Sequence, residues 1–190
     1  VGYDRIDLDL CSERGIVVTN TPGAMADAVA DEALALMLAL IRRVFEGDRQ
    51  VKAGAYAVTV AEDLAAMTLG LVGCGRIGAE VVRRAAAFKM RILVYDPWVE
   101  AAAIEALGAT QVSLDEVLAQ ADVISLHTPL SSANEGMVNA DFLGRMKAGS
   151  YLLNTARGPL VDEAALIEAL KNGPVAGAAL DCQATEPPTG

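Results

Sequence analysis

An α/β fold with a doubly wound parallel sheet is predicted, and three observations predict it. From Thr68 onward, short unbroken apolar runs alternate with helical patterns. Strands of that kind belong in a parallel sheet covered on both faces. The first run, Thr68-Leu69-Gly70-Leu71-Val72, leads directly into Gly73-Cys74-Gly75-Arg76-Ile77-Gly78 and then a helical stretch. The next run, Ile92-Leu93-Val94-Tyr95, ends on Asp96. A glycine loop between strand and helix, with an acid closing the following strand, is the dinucleotide-binding fingerprint of a Rossmann sheet.

The elements follow in order. Leu8 to Arg14 has a short helix pattern stopped by Gly15, and Ile16-Val17-Val18-Thr19 reads as a strand. Thr21-Pro22-Gly23 is a turn and a boundary. Ala24 to Glu46 reads as one long helix ended near Gly47, and 54–67 as a connection. Within that helix the apolar run from Ala33 to Ile41 follows Asp31-Glu32 and precedes Arg42-Arg43, charges matched to the helix dipole. The run is too short to span a bilayer. It is also too apolar to face water on any side, so a second copy of the chain is expected to cover helix 24–46 in a homodimer.

Six strands are expected in the remainder: 69–72, 92–95, 111–112, 123–127, 151–154 and 177–180, with helices between. Ser113 and Glu116 form a capping box, Asn139 and Asp162 can cap the next two helices, and Gly173 stops the last. A ligand of such a sheet lies at the carboxyl ends of its strands. Gly73, Asp96, His127-Thr128-Pro129, Thr155-Ala156-Arg157 and Asp181 are all placed there.

Each glycine of the loop has its own reason. Gly73 permits the tight turn, Gly75 lets backbone approach a pyrophosphate, and Gly78 lets helix and strand pack closely. The helix starting near Arg76 aims unpaired N–H groups and its positive dipole end at the phosphates. Asp96 would accept from the adenosine ribose hydroxyls and repel a 2′-phosphate, so the cofactor expected is NAD rather than NADP.

Composition excludes several classes. The 190 residues suit one domain, or one domain with a fragment of another, and 53% apolar content is enough for a core. A net charge of −10 argues against nucleic acid as a partner. Cys11, Cys74 and Cys182 are odd in number and lack metal-ligand spacing. No metal site and no membrane partner are expected. No secretory signal is visible, so a cytoplasmic chain with reduced thiols is expected.

Four segments together resemble the D-isomer-specific 2-hydroxyacid dehydrogenases, above all their phosphoglycerate dehydrogenase and glyoxylate/hydroxypyruvate reductase branches. They are Val1-Gly2-Tyr3-Asp4 with Asn20-Thr21-Pro22-Gly23; Gly73 to Gly78 with Asp96; Asn154-Thr155-Ala156-Arg157-Gly158 with Val161-Asp162-Glu163; and Ala179-Leu180-Asp181 with Glu186-Pro187. The match is collinear along nearly the whole chain. It implies that residues 1–20 are the tail of a substrate domain and 21–190 a NAD-binding domain. Arg76 and Ile77 would then contact the pyrophosphate, and Asp96 the ribose. Thr128, Thr155 and Ala156 would line the cofactor cleft, with Asp181 at the nicotinamide end.

The resemblance also assigns the chemistry. Arg157 matches the catalytic arginine, whose planar fork can hold the carboxylate and carbonyl of a 2-oxo acid in one orientation. Glu186 matches the glutamate that raises the pKa of the family's catalytic histidine, so that the imidazolium can protonate the developing alkoxide. That histidine follows the Glu-Pro loop in the family, and this chain stops at Gly190. The single histidine, His127, is read as a strand-end group beside the cofactor and not as the acid. The chain is therefore expected to bind cofactor and to turn over 2-oxo acids very poorly by itself.

Several positions depart from the family pattern. Met25 stands where asparagine is common, Asp31-Glu32 replaces Glu-His, Tyr56 replaces tryptophan, and Cys182-Gln183 replaces Val-Phe. The reading is an NAD-dependent oxidoreductase interconverting a D-2-hydroxy acid and its 2-oxo acid by hydride transfer. The alternatives are a non-catalytic NAD(H)-responsive binding protein of the corepressor type, or a formate- or phosphite-type dehydrogenase.

Overall fold

The structure is a computed structural model that describes residues 2–4, 6–58 and 60–187. Val1 of the first family segment and the terminal 188–190 lie outside the described residues.

Six parallel strands form one sheet. They are β1 (Thr68–Val72), β2 (Arg91–Tyr95), β3 (Thr110–Gln111), β4 (Val123–Leu126), β5 (Ser150–Asn154) and β6 (Val175–Leu180). Their spatial order is β3-β2-β1-β4-β5-β6, with every neighbouring pair parallel. This is the predicted Rossmann sheet, and its strand order reverses between β1 and β4. The crevice above that switch point is where a ligand of such a sheet sits.

The helices are α1 (Leu8–Glu13), α2 (Ala26–Ile41), α3 (Val44–Lys52), α4 (Arg76–Ala87), α5 (Ala101–Glu105), α6 (Leu114–Gln120), α7 (Ala140–Gly144) and α8 (Glu163–Asn172). Two cores lie on opposite faces of the sheet. Leu69, Leu71, Ile92 and Val94 pack with α2 and α4 on one side. Val72, Leu93, Ile124 and Leu152 pack with α6, α7 and α8 on the other. Period-two alternation along each strand sends successive side chains to opposite layers. At Gly70 the side chain is missing for cause: a Cβ there would meet Val117 and Ala121 of α6 at 2.6 and 2.7 Å.

The predicted caps are present. Ser113 and Glu116 make the reciprocal capping box of α6, Asn139 accepts from Phe142 N, and Asp162 accepts from Ala165 N. Gly173 ends α8. Asp7 caps α1 and Gly15, at φ +66°, follows its end.

Two expectations are corrected. The long helix 24–46 is two helices, because Arg43 adopts the left-handed conformation (φ 54°) and α3 starts afresh at Val44. The core contact of α2 ends at Ile41, its last buried residue, and α3 continues without a buried residue. The expected strand Ile16–Thr19 does not form. It meets no strand partner among the described residues, and Val17 is 85% exposed.

Arg84 of α4 fastens α4 to α2. It donates to Asp27 (2.9 Å) and Asp31 (2.6 Å) as well as to Glu80 on its own helix (2.9 Å). Asp31, one of the departures from the family pattern, therefore has a partner inside the chain.

Candidate functional site

The glycine loop lies at the end of β1, against the start of the loop after β4. Gly73 has φ +98° and donates to Tyr95 O (2.9 Å). A Cβ at Gly73 would meet the His127 carbonyl oxygen at 2.7 Å, and one at Gly78 would meet Gly73 O at 2.5 Å. Both glycines are needed for backbone to lie on backbone. Gly75 differs: a Cβ there meets nothing within 4 Å, so its surface is open. Gly75 is also the N-cap of α4 and caps it with no side chain. The N–H groups of Arg76, Ile77 and Gly78 have no acceptor within the helix, which leaves a donor cluster with a positive dipole at the loop.

Asp96 is buried behind that loop. Its Oδ2 accepts from Cys74 N (2.7 Å) and its Oδ1 from Trp98 N (2.8 Å) and Val99 N (3.1 Å). The carboxylate thus ties the glycine loop to the exit of β2. Gln111 secures that exit, donating to Asp96 O (2.7 Å) and Val99 O (3.1 Å). The fingerprint implies only an outward role for Asp96; the structure gives it an inward one too.

His127 follows β4. Its Nε2 lies 2.8 Å from Ser125 Oγ, and burial lowers its pKa to about 4. The ring is neutral near pH 7. The next two residues are fixed by Asn134, whose Nδ2 donates to Pro129 O (2.7 Å) and Thr128 Oγ1 (3.4 Å). A pH dependence follows from His127. Its folded pKa lies below the ordinary 6.5, so the unfolded chain takes the proton more readily. Stability from the neutral ring is complete above pH 6.5 and is lost as pH falls toward 4, by up to about 3 kcal/mol for a shift of this size. Urea midpoints at pH 7 and pH 5 should differ less in His127→Asn than in the wild type. Equal differences would refute the assignment.

Beyond β5 the buried Asn154 shapes the turn. Its Oδ1 accepts from Ala156 N (3.0 Å) and its Nδ2 donates to Arg157 O (2.8 Å). Thr155 is buried in this turn, and its Oγ1 has no partner among the described residues. Arg157 reaches back to the start of the chain. Its Nε donates to both oxygens of Asp4 (3.2 and 3.1 Å), its Nη2 to Asp4 Oδ1 (3.0 Å), and its Nη1 to Ala156 O (2.7 Å). The hydrogen bond that Arg157 donates to Asp4 is the main cause holding the Arg157 pKa above its ordinary value; the nearby Glu186 charge adds to it.

Gly158 brings the 183–186 loop beneath this turn. A Cβ there would overlap the backbone of Gln183 and Ala184. Ala184 N donates to Glu163 Oε1 (2.8 Å) and Gln183 N to Glu186 Oε1 (3.3 Å). Cys182 is pushed up to about 11, first by burial and then by Asp181 and Glu186, so its thiol stays protonated.

These parts surround one cleft of about 650 Å³. Of the residues singled out in the sequence, Gly75, Arg76, Ile77, His127, Thr128, Pro129, Thr155, Ala156 and Arg157 line it, together with Gly2, Tyr3 and Asp4. Gly73, Gly78 and Asp96 stand behind the wall as supports. Asp181 and Glu186 are exposed and outside the lining, although Asp181 N is tied to Asn154 O (2.9 Å). Asp4, Asn134, Asn154 and Glu163 have roles here that no sequence motif assigns. Asp4, Asn154 and Glu163 lie within the family segments, which was the available signal.

Residues 34–190 match the family described as "D-isomer specific 2-hydroxyacid dehydrogenase, NAD binding domain". The chain belongs to this family. It is 46% identical over 193 residues to a glyoxylate reductase of Korarchaeum cryptofilum, covering 98% of this chain and 58% of that protein. It is 42% identical to a D-3-phosphoglycerate dehydrogenase of Archaeoglobus fulgidus, covering 100% of this chain and 36% of the relative. Among solved structures, D-lactate dehydrogenase from Aquifex aeolicus, complexed with NAD and lactic acid, superposes with a TM-score of 0.91. That pair shares 39% identity over 97% of this chain and 56% of the other. The chain therefore spans little more than half of the first of these relatives, and less of the second.

The NAD-binding domain of the family fits the cleft on three observations. The α4 N-terminus lacks a side-chain cap. Gly75 presents open backbone beside it. Thr155 Oγ1 is a buried hydroxyl in the cleft wall with no partner among the described residues, a group that a ligand or water can satisfy. Met25, a departure from the family pattern, also lines the cleft. No helix among the described residues is long and apolar enough to cross a membrane.

Proposed function

We propose that this chain is the cofactor-binding and substrate-orienting part of an NAD-dependent D-2-hydroxyacid dehydrogenase. The observation that carries the reading is the placement of the Arg157 guanidinium in the same cleft as the open Gly75 backbone and the α4 N-terminus. Bound NAD(H) supplies the hydride. The N–H groups of Arg76, Ile77 and Gly78 hold the pyrophosphate, and Gly73 and Gly78 keep the loop in register beneath it. Asp96 keeps one Oδ2 lone pair for a ribose hydroxyl while its other acceptor positions hold the loop. His127, Thr128 and Pro129 wall the adenosine side, and Thr155 Oγ1 and Ala156 border the cofactor beyond. Asp181, outside the cleft lining, would stand toward the nicotinamide end.

Arg157 orients the substrate carboxylate through charge-assisted hydrogen bonds. Glu186 holds an imidazolium proton donor in its charged form as hydride arrives. His127 is not that donor, because its pKa near 4 leaves it unprotonated at neutral pH. The domain division at residues 1–20 and 21–190, and a cytoplasmic setting with free thiols, complete the proposal.

Calorimetric titration of the chain with NADH and NADPH tests the cofactor assignment. NADH should bind at least about tenfold tighter, the cost of like charge near a 2′-phosphate being on the order of 1.4 kcal/mol or more. Equal affinities would overturn the Asp96 assignment. Trp98, the single tryptophan, follows Asp96 closely and its fluorescence gives a second reading of NADH binding. A turnover screen of the full-length enzyme with glyoxylate, hydroxypyruvate and 3-phosphohydroxypyruvate identifies the substrate.

We propose further that two copies pair across the α2 end, α3 and the segment after it. Val44, Phe45, Val51 and Tyr56 are 53%, 64%, 70% and 92% exposed there. Apolar surface so concentrated supports an interface. Sedimentation at micromolar concentration should report a dimer that Phe45→Glu weakens; a stable wild-type monomer would refute it.

A further inference from the structure

We propose that Asp4 is the positioning residue that presents the Arg157 guanidinium to the substrate, an inference that rests on the dehydrogenase reading above. A guanidinium carries five N–H donors in a fixed plane. Asp4 engages Nε and Nη2, and Ala156 O engages Nη1. Three donors are used, which leaves one N–H on each terminal nitrogen. Two such groups on neighbouring nitrogens are what a carboxylate needs for a two-point grip. Asp4 therefore engages the side edge of the fork and leaves the end edge for the cleft.

The pairing joins two distant parts of the chain. Asp4 and Arg157 are 153 positions apart and meet at the rim of the same cleft. Gly2 completes the seat, because a Cβ on it would strike both Arg157 Nη2 and Asp4 Oδ1. Backbone at Gly2 thus lies flush against the guanidinium. A long, rotatable side chain is set in its working geometry before substrate arrives, so its loss of freedom does not fall on the binding step. Asp4 touches neither the reacting carbonyl nor the hydride path in this assignment. Its effect passes through Arg157.

The test uses the full-length enzyme and whichever 2-oxo acid its wild type reduces fastest. Asp4→Asn should raise KM for that acid by about tenfold or more, lower kcat less, and leave NADH affinity unchanged. Asp4→Glu, with charge kept but reach altered, should fall between. Gly2→Ala should mimic Asp4→Asn by pushing Nη2 away while leaving every charge in place. In an Arg157→Ala background neither Asp4→Asn nor Gly2→Ala should cost anything further, since a positioning role vanishes with the residue positioned. Losses that add in full to those of Arg157→Ala would overturn the proposal, as would an Asp4→Asn enzyme with wild-type KM. If Asp4→Asn does not fold, Gly2→Ala is judged by the same two criteria. A wild type that binds NADH yet reduces no 2-oxo acid overturns the functional reading instead.

Discussion

Arg157→Ala in the full-length enzyme should lower kcat/KM for a 2-oxo acid by about 10²–10⁴-fold and leave NADH affinity almost unchanged. The estimate comes from the two N–H groups that remain on the guanidinium after Asp4 and Ala156 O are served. A hydrogen bond to a charged group contributes roughly 1.5–3 kcal/mol. Losing two therefore costs about 3–6 kcal/mol, and each 1.36 kcal/mol is tenfold in rate. Cofactor affinity should hold because the loop, the α4 N-terminus and Asp96 do not depend on Arg157 for any hydrogen bond. Arg157→Lys should recover little, since an ammonium cannot reproduce the fork and would leave part of the Asp4 carboxylate unserved. Steady-state kinetics with calorimetry for NADH separates the two effects. A variant whose kcat/KM stays within threefold of the wild type would remove Arg157 from the substrate site.

Arg157 also shows where the sequence stops being informative. Its motif places it after a strand and at the ligand end of the sheet, and both statements hold in the structure. The Asp4 contact is different in kind, because nothing local to either residue specifies a partner 153 positions away. The same applies to Glu163, which carries Ala184 N and so fixes the loop bearing Glu186. Contacts within one turn of helix were legible. Ser113 and Glu116 announce their capping box within four residues, and Asn139 and Asp162 announce theirs. Strands were legible because a sheet buried on both faces leaves no polar alternation to confuse the reading. The β4 strand stops at Leu126, one residue before the expected His127, whose ring turns to Ser125 and the cleft.

The misreadings have a common origin. Arg43 takes a left-handed backbone without glycine, proline or asparagine to mark it. Tertiary packing decides the break, because α2 ends where its core contacts end at Ile41. Ile16–Thr19 has the composition of a strand, yet composition cannot supply a neighbouring strand to pair with. Asp96 was legible as the acid of the fingerprint but not as the clasp of Cys74, Trp98 and Val99, since all three bonds go to backbone that any residue would offer. A neutral replacement at Asp96 should therefore loosen the loop as well as relax cofactor choice.

Two of the loop glycines, Gly73 and Gly75, separate stability from binding. Gly73→Ala should unfold more easily and bind NADH poorly, whereas Gly75→Ala should keep wild-type stability and still bind poorly. At Gly73 two costs add. A side chain at φ +98° is strained by about 1–3 kcal/mol, and the Cβ must displace the His127 backbone from 2.7 Å, an overpacking typically worth about 1–3 kcal/mol. For a domain of this size each kcal/mol shifts the melting temperature by roughly 2–4 °C, so a fall of about 5–20 °C is expected. Gly75 has φ −68°, ordinary for any residue, and open space where the Cβ would stand. Alanine there costs the folded chain almost nothing. That space is where the pyrophosphate must come within hydrogen-bond distance of the α4 N-terminus, and a methyl group holds it away. Loss of two or more charge-assisted N–H bonds of about 1.5–3 kcal/mol each predicts a Kd for NADH raised by about a hundredfold or more. Thermal melts and calorimetry on the two variants read both quantities. A Gly75→Ala chain that binds NADH like the wild type would show that the phosphates lie elsewhere, whatever its stability.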